Sequence, residues 1–351
     1  MEKPTYLDVH PKFKLNGRSL TKDDFYIVAY SFIKEGEDFE KPVGQFLLDW
    51  FDEKPYIEMH TSGSTGIPKL IRVNKQSMVN SALASGVFFD LQYGNKILNC
   101  LPMKYVAGKM MFVRSFVLGL HMDFVPPSLQ PLKKLDDTYD FCAMVPLQAQ
   151  NSLDELHLIK KLIVGGAKIS TKLEKQLLGL KKTECYETFG MTETVSHIAA
   201  KRVGEKAFRL MPDVSIEKDD RNCLIIHAPL LTNEPIITND LVEIVGGDQF
   251  KFLGRLDNVI NSGGIKINPE QVEEKLADKI SPRFMISGKP DNDLGEKLVL
   301  LIESEPFTID SDMFKGLDKF EKPKEIHFLK QFKDSLNGKI LRRETLLLVK
   351  K

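Results

Sequence analysis

Between residues 96 and 186, short apolar runs alternate with longer stretches of helical periodicity. The runs at 96–100, 123–125, 141–145, 162–164 and 184–186 read as strands, and the stretches at 108–118 and 172–180 read as helices. Alternating strand and helix segments of this kind argue for a mostly parallel sheet covered by helices. The expected class is therefore α/β. Upstream, 26–30 reads as a strand, 42–51 as an amphipathic helix, and 56–60 and 70–73 as strands. The helix predicted over 75–89 puts Met78, Val79, Ala82, Leu83 and Val87 on one face. From about Asp213 to Leu253 the pattern becomes short strands and turns.

At 351 residues the chain exceeds the usual size of one core, so two domains are expected. The character changes again near Gly254. Asn268-Pro269-Glu270-Gln271 opens a helix, with Asn as N-cap, Pro in the first turn and Gln at the capping-box position. Short strands and helices follow, ending in a charged helix over 342–349. These features predict a large N-terminal α/β domain over 1–254 and a small α+β domain over 255–351, joined around Arg255–Asp257.

Lys plus Arg equals Asp plus Glu, 49 each, which gives no electrostatic case for nucleic acid or an anionic membrane. The stretch 110–120 is interrupted by Arg114 and too short to span a bilayer, and the N-terminus lacks the apolar core of a signal peptide. Cys100, Cys142, Cys185 and Cys223 are far apart, with no CxxC pair or Cys/His cluster. Buried free thiols in a reducing, cytoplasmic setting are expected.

Four segments carry chemistry. Thr61-Ser62-Gly63-Ser64-Thr65-Gly66-Ile67-Pro68-Lys69, between two strands, offers hydroxyls and backbone N–H groups, with glycines that let the backbone bend around a phosphate. A polar hairpin loop would share much of that composition. It is not a Walker loop, which needs Gly-Lys-Ser/Thr entering a helix. Phe189-Gly190-Met191-Thr192-Glu193 offers a base-stacking ring, a hydroxyl and one carboxylate, and a single carboxylate plus substrate phosphates is enough for Mg²⁺. An ordinary helix start with an N-terminal acid would look similar. Asp240 and Arg255 could hold a ribose diol, although surface turns carry the same residues. Gly338-Lys339 alone would read as a solvated turn.

Together and in this order, the segments resemble the acyl-adenylate-forming superfamily, which includes acyl-CoA ligases, luciferases and peptide-synthetase adenylation domains. The resemblance spans nearly the whole chain. It implies attack of a carboxylate on the α-phosphate of ATP with release of pyrophosphate, then displacement of AMP from the acyl-AMP by a thiol, usually that of coenzyme A. By resemblance the 61–69 loop and Lys69 hold phosphates, Thr192 contacts the α-phosphate and Glu193 holds Mg²⁺. Gly165, Gly166, Ala167 and Phe189 hold adenine, while Asp240 and Arg255 hold ribose. Lys339 bridges the carboxylate and the α-phosphate. The small domain rotates about the hinge Asp257, bringing Gly263 and Gly264 to the thiol.

Residues 101–108, 144–146 and 190–198 are similar to those of the 2-succinylbenzoate–CoA ligases of menaquinone biosynthesis. Such a substrate carries two carboxylates and needs a second anion-binding group, for which Ser196, His197, Lys109 and Arg114 are candidates. Other aryl- or fatty-acid ligases, and transfer to a carrier-protein thiol, stay open, as does homo-oligomer formation. A non-catalytic nucleotide-binding regulator would not need both Glu193 and Lys339, and no Gly-x-Ser-x-Gly elbow points to a serine hydrolase. The chain departs from the superfamily pattern at Asn239, where Gly is usual, and at Lys333, where Pro is usual. Only sixty residues precede the phosphate loop, so a shortened, minimal version is expected.

Overall fold

A computed structural model describes residues 3–60, 70–334 and 340–349. The chain divides into two compact units. The first comprises Met1–Ile169, Leu173–Ser215 and His227–Ile236. The second comprises Ser170–Lys172, Ile216–Ile226 and Ile237–Lys351. This division falls earlier than residue 255, because the strands after residue 216 group with the C-terminal part.

The first unit opens with a hairpin of β1 (Lys14–Leu15) and β2 (Arg18–Ser19), then helices α1 (Lys22–Lys34) and α2 (Lys41–Phe51). The hairpin went unread in the sequence, although its signal was local. Asn16 and Gly17 both have positive φ, 46° and 76°, as a tight Asn-Gly turn requires. The strand expected at 26–30 is instead part of α1. Phe-Tyr-Ile-Val-Ala-Tyr is rich in strand formers, but the helix is nucleated from its cap. Thr21 Oγ1 accepts from Asp24 N at 3.4 Å, and the Asp24 carboxylate accepts from Thr21 N at 2.6 Å. Phe25 and Ala29, four apart, turn inward, while Ile27 and Tyr30 face solvent.

Next come β3 (Tyr56–His60), β4 (Leu70–Asn74), α3 (Lys75–Phe88), β5 (Lys96–Asn99), α4 (Val106–Leu118), β6 (His121–Phe124), β7 (Tyr139–Met144), α5 (Pro146–Asn151), β8 (Ile159–Val164), α6 (Thr171–Leu178), β9 (Glu184–Gly190), β10 (His197–Arg202) and β11 (Phe208–Leu210). The main sheet of this unit runs β11-β10-β9-β8-β7-β5-β6-β1-β2. Strands β9, β8, β7, β5 and β6 are parallel, and β10 is antiparallel to β9. Its two faces bury different side chains. Ile97, Phe141, Ala143 and Ile163 join a core with Met78 and Val79 of α3 and Met110 and Phe116 of α4. Leu98, Cys142, Met144, Leu162 and Val164 join another with Ala149 of α5 and Leu173 of α6. Burial on both faces explains why consecutive positions in these strands, such as 141–144 and 162–164, are apolar. On α3, Val87 is exposed rather than inward, and Ser81 and Ser85 occupy the buried face instead.

The second unit holds β12 (Ser215–Lys218), β13 (Cys223–His227), β14 (Ile236–Ile244) and β15 (Gln249–Arg255), neighbours in that order. After them come β16 (Ile260–Ser262), β17 (Ile265–Ile267), α7 (Pro269–Leu276), β18 (Phe284–Asp291), β19 (Gly295–Glu303), β20 (Glu325–Leu329) and α8 (Arg342–Leu346). A sheet ordered β17-β16-β19-β18, with β20 parallel to β19, packs Leu298, Leu300 and Ile302 against Val272 and Leu276 of α7. Asn268 caps α7 as expected, its Oδ1 accepting from Glu270 N at 3.1 Å. The four cysteines are free and buried. Among the described residues, no helix is long and apolar enough to cross a membrane.

Helices α1 and α2 meet at Gly44, where an added Cβ would lie 2.5 Å from the Ala29 carbonyl oxygen. Gly44→Ala is therefore expected to destabilise the fold by about 1–3 kcal/mol through overpacking. A urea unfolding curve checks this, and an unchanged midpoint would contradict the α1–α2 packing.

Candidate active site

The carboxyl ends of β8 and β9 carry six of the residues singled out in the sequence, Gly165, Gly166, Ala167, Phe189, Thr192 and Glu193. The chain leaves β5 for β6 on one side and then returns to β7 on the other, so the strand order reverses at β5. In open α/β sheets, such a switch point opens a crevice beyond the strand ends where ligands bind. Both walls are built locally. After β5, Asn99 Oδ1 accepts from Leu101 N at 3.1 Å, and its Nδ2 donates to the Gly108 carbonyl at 3.2 Å. Gly108 is needed for that approach, because a Cβ would sit 2.6 Å from the Pro102 carbonyl oxygen. After β7, Gln148 Nε2 donates to the carbonyls of Cys100 and Ser128, each at 3.0 Å, tying the two strand ends together.

Gly165, Gly166 and Ala167 follow β8, and Phe189 and Gly190 close β9 beside it. A Cβ on Gly165 would meet Thr188 Oγ1 at 2.4 Å, so glycine lets the two strand ends approach. Gly166 has φ 87° and turns the chain away. Phe189 is half-buried, its ring centroid 5.7 Å from that of Phe208. Thr192 and Glu193 form a 3₁₀ turn with Thr194, and Glu193 is exposed. Thus Gly165–Ala167, Phe189, Thr192 and Glu193 lie at the ends of adjacent strands.

Beneath this edge runs a buried polar chain. Ser85 Oγ donates to the Ser81 carbonyl at 2.9 Å and lies 3.1 Å from His197 Nε2. With its only hydrogen used, Ser85 must accept from His197, which fixes the Nε2–H tautomer. Nδ1 is then the acceptor facing Ser196 Oγ at 3.5 Å, and Ser196 accepts from Arg114 Nη2 at 3.0 Å. Arg114 is 1% exposed. Burial lowers its pKa to about 10, so it remains charged at neutral pH. Its other contact is Met111 Sδ at 3.7 Å, and its Nε has no partner. No acidic residue pairs with it among the described residues, and neither 61–69 nor 335–339 contains an Asp or Glu. A buried cation without a counter-ion is expensive, and an incoming anion relieves that cost.

Ser196, His197 and Arg114 are therefore brought together, with Ser85 added. Sequence reasoning missed Ser85 because the α3 face was read from its apolar residues alone. Its signal was the four-residue spacing from Ser81, on the same face as Met78 and Ala82. Lys109 is not part of this group. Its ammonium donates to the Met103 carbonyl and lies 5.8 Å from the Phe46 ring, so it braces the loop after β5. Burial lowers its pKa, partly offset by Asp49.

In the second unit, Asp240 and Arg255 face each other in register across β14 and β15 and form an ion pair at 3.1 Å. Arg255 also binds Asp257 at 2.9 Å, and Asn239 Nδ2 donates to the same carboxylate at 3.0 Å. Arg221 Nη1 donates to Asn239 Oδ1 at 3.1 Å. Burial opposes ionisation of Arg255, but the two carboxylates prevail and its pKa is raised. Gly263 and Gly264 are the central residues of the β16–β17 hairpin, with φ 59° and 82°. Positive φ at both positions is what a type I′ turn demands. Thr61, Ser62, Gly63, Ser64, Thr65, Gly66, Lys69 and Lys339 lie outside the described residues. The strands flanking 61–69 do pair, with His60 opposite Leu70.

Burial first, and then the Arg114 charge, holds the His197 pKa well below 6.5. The native ring stays neutral while the unfolded one takes up a proton as pH drops. Its contribution to stability is thus complete above about pH 6.5 and is lost below it, by about 1.4 kcal/mol per pH unit. NMR of the His197 ring is expected to show no titration between pH 5.5 and 8. His197→Gln should flatten the acid limb of the stability curve, and a mid-range titration would refute the tautomer chain.

The profile of the AMP-binding enzyme family matches residues 49–223. An acyl-CoA synthetase (AMP-forming)/AMP-acid ligase II-like protein from Dyadobacter fermentans is 32% identical, over 93% of this chain and 98% of that one, with a TM-score of 0.62. The 2-succinylbenzoate–CoA ligase of Haemophilus influenzae is 27% identical over 76% of this chain and 64% of that protein, so the chain spans 64% of that relative's length. The O-succinylbenzoate coenzyme A synthetase of Bacillus subtilis, solved with ATP and magnesium ion, shares the fold at 19% identity. That match covers 82% of this chain and 69% of that one, with a TM-score of 0.71. The chain belongs to the AMP-binding enzyme family of AMP-forming acyl-CoA synthetases.

Proposed function

We propose that this chain is an ATP-dependent acid–CoA ligase whose substrate is 2-succinylbenzoate, joined to coenzyme A through an acyl-AMP. The carrying observation is Arg114, a buried, charged guanidinium with Ser196 beside it and no acidic partner among the described residues. An acid bound for adenylation presents its reacting carboxylate to ATP, and a second carboxylate would satisfy Arg114 through charge-assisted hydrogen bonds. The named activity of the Haemophilus relative supports the same substrate.

In the first half-reaction, a carboxylate oxygen attacks the α-phosphorus and pyrophosphate leaves with the bond's electron pair. In the second, the thiolate sulfur attacks the acyl carbon and AMP leaves. Lys69, Thr192 and Lys339 would offset the charge developing on phosphate. The exposed Glu193 suits Mg²⁺ arriving with ATP, because one carboxylate plus phosphate oxygens is an ordinary Mg²⁺ set. Adenine would lie against Gly165–Ala167 and Phe189, and ribose against Asp240 and Arg255. Asp257 would serve as the hinge that replaces Lys339 by Gly263-Gly264 between half-reactions.

Pyrophosphate release with Mg-ATP and a panel of 2-succinylbenzoate, benzoate and medium-chain fatty acids, with and without coenzyme A, tests the substrate. Arg114→Met is expected to weaken 2-succinylbenzoate use by roughly 10- to 100-fold without lowering the melting temperature, because it removes an uncompensated buried charge. Turnover confined to another acid would refute the substrate. Silence with every acid despite ATP binding would favour a nucleotide-binding regulator.

A division of labour is also expected. Lys339→Ala should abolish adenylation yet still form thioester from supplied acyl-AMP, whereas Asp257→Pro should do the reverse. Equal losses in both half-reactions for both variants would sink the hinge.

A further inference from the structure

Val195 has φ 67° and ψ −51°, a conformation that a β-branched residue avoids. Ser196 N donates to the Thr194 carbonyl at 2.7 Å across it. Val195 is thus the centre of a three-residue γ-turn of the rare, strained hand. Strain of this kind persists only where the surroundings over-determine it.

The restraint lies next door. Thr194 is fully buried, and its hydroxyl accepts from Met191 N at 3.0 Å. The same oxygen lies 2.7 Å from the Ser196 carbonyl and 2.9 Å from that of Met191; the Met191 carbonyl already accepts from Thr194 N, so the single hydroxyl hydrogen goes to the nearer Ser196 oxygen. Gly190 completes the closure. A Cβ there would stand 2.4 Å from the Ser196 carbonyl oxygen, so only glycine lets that carbonyl come close.

The turn links two functional directions. On its upstream side are Thr192 and Glu193, and on its downstream side Ser196 and His197 run to Arg114. If Val195 relaxed to negative φ, the directions of both pairs would change together.

We infer that Thr194 is a positioning residue: its hydroxyl staples Met191 to Ser196 and holds the strained turn that aims Thr192 and Glu193 one way and Ser196 the other. The inference rests on the reading of Thr192 and Glu193 as nucleotide-side groups, but not on which acid is the substrate.

The test compares wild type, Thr194→Val, Thr194→Ser, Val195→Gly and the double variant Thr194→Val/Val195→Gly. Each is measured for Mg-ATP affinity by calorimetry, for kcat and KM of pyrophosphate release with the acid that wild type prefers, and for melting temperature. Thr194→Val should lose roughly a hundredfold in kcat, the scale of a reacting group misplaced by about 1 Å. Thr194→Ser, which keeps the hydroxyl, should stay within about threefold of wild type on the same scale. Glycine adopts positive φ without strain, so Val195→Gly keeps the turn and the hydroxyl is no longer needed to hold it. The double variant should then recover at least about tenfold over Thr194→Val. If Thr194→Val does not fold, the double variant compared with Val195→Gly answers the same question.

Wild-type kcat and ATP affinity in folded Thr194→Val would overturn the inference. So would a loss that persists undiminished in the double variant, because the hydroxyl would then act directly. A wild type that binds Mg-ATP but turns over no acid fails the substrate reading alone, and the pattern of ATP affinities across the variants still decides the role of Thr194. A wild type that binds no Mg-ATP overturns both.

Discussion

Everything in the first unit follows from strands that are buried on both faces. Phe141 and Ala143 point into one core while Cys142 and Met144 point into the other. No edge of such a strand can be left to water cheaply, so each return to the sheet needs a covering crossover. Parallel crossovers leave every carboxyl end on the same rim. The loop after β5, the turn after β7, Gly165–Ala167 and the Phe189–Glu193 segment gather there because the sheet leaves them no other side.

Polar groups beneath that rim obey the same burial. Ser81, Ser85, His197 and Arg114 occupy places on α3, β10 and α4 where apolar side chains would pack without penalty. A hydrogen-bond chain that runs in one direction satisfies the neutral members and leaves one charge over. The chain ends on a guanidinium that no carboxylate pairs among the described residues. Lys75 shows the contrast: it is equally buried, but its ammonium is met by Asp52 at 2.7 Å. In the second unit, the polar series from Arg221 through Asn239, Asp257 and Arg255 to Asp240 is linked by hydrogen bonds and ion pairs. An Asn at position 239 joins that network through both its amide atoms, which a glycine could not do.

The parallel architecture and family membership were legible because both are written in local patterns. Two-sided burial makes consecutive apolar positions, as in 141–144 and 162–164, and the motif segments carry glycines and hydroxyls at fixed spacing. The α1 helix was misread because Phe25–Tyr30 favours a strand by propensity, while its true state is decided by the Thr21–Asp24 cap and by packing against α2. Val87 was placed inward by periodicity, and the buried serines of the same helix were passed over for being polar. The division of the chain into compact units could not be read at 254/255 from composition, because it depends on which strands pack together.

The sequence by itself determined the class of fold, the order of the motif segments and the family they point to, since each of these rests on neighbours within a few residues. Only the tertiary structure decided that Arg114, Ser196, His197 and Ser85 form one chain of hydrogen bonds and that Lys109 stands apart from it. Those facts depend on residues as far apart as Ser85 and His197 being packed to 3.1 Å. Burial sets both their protonation and their direction, and burial belongs to the folded chain alone.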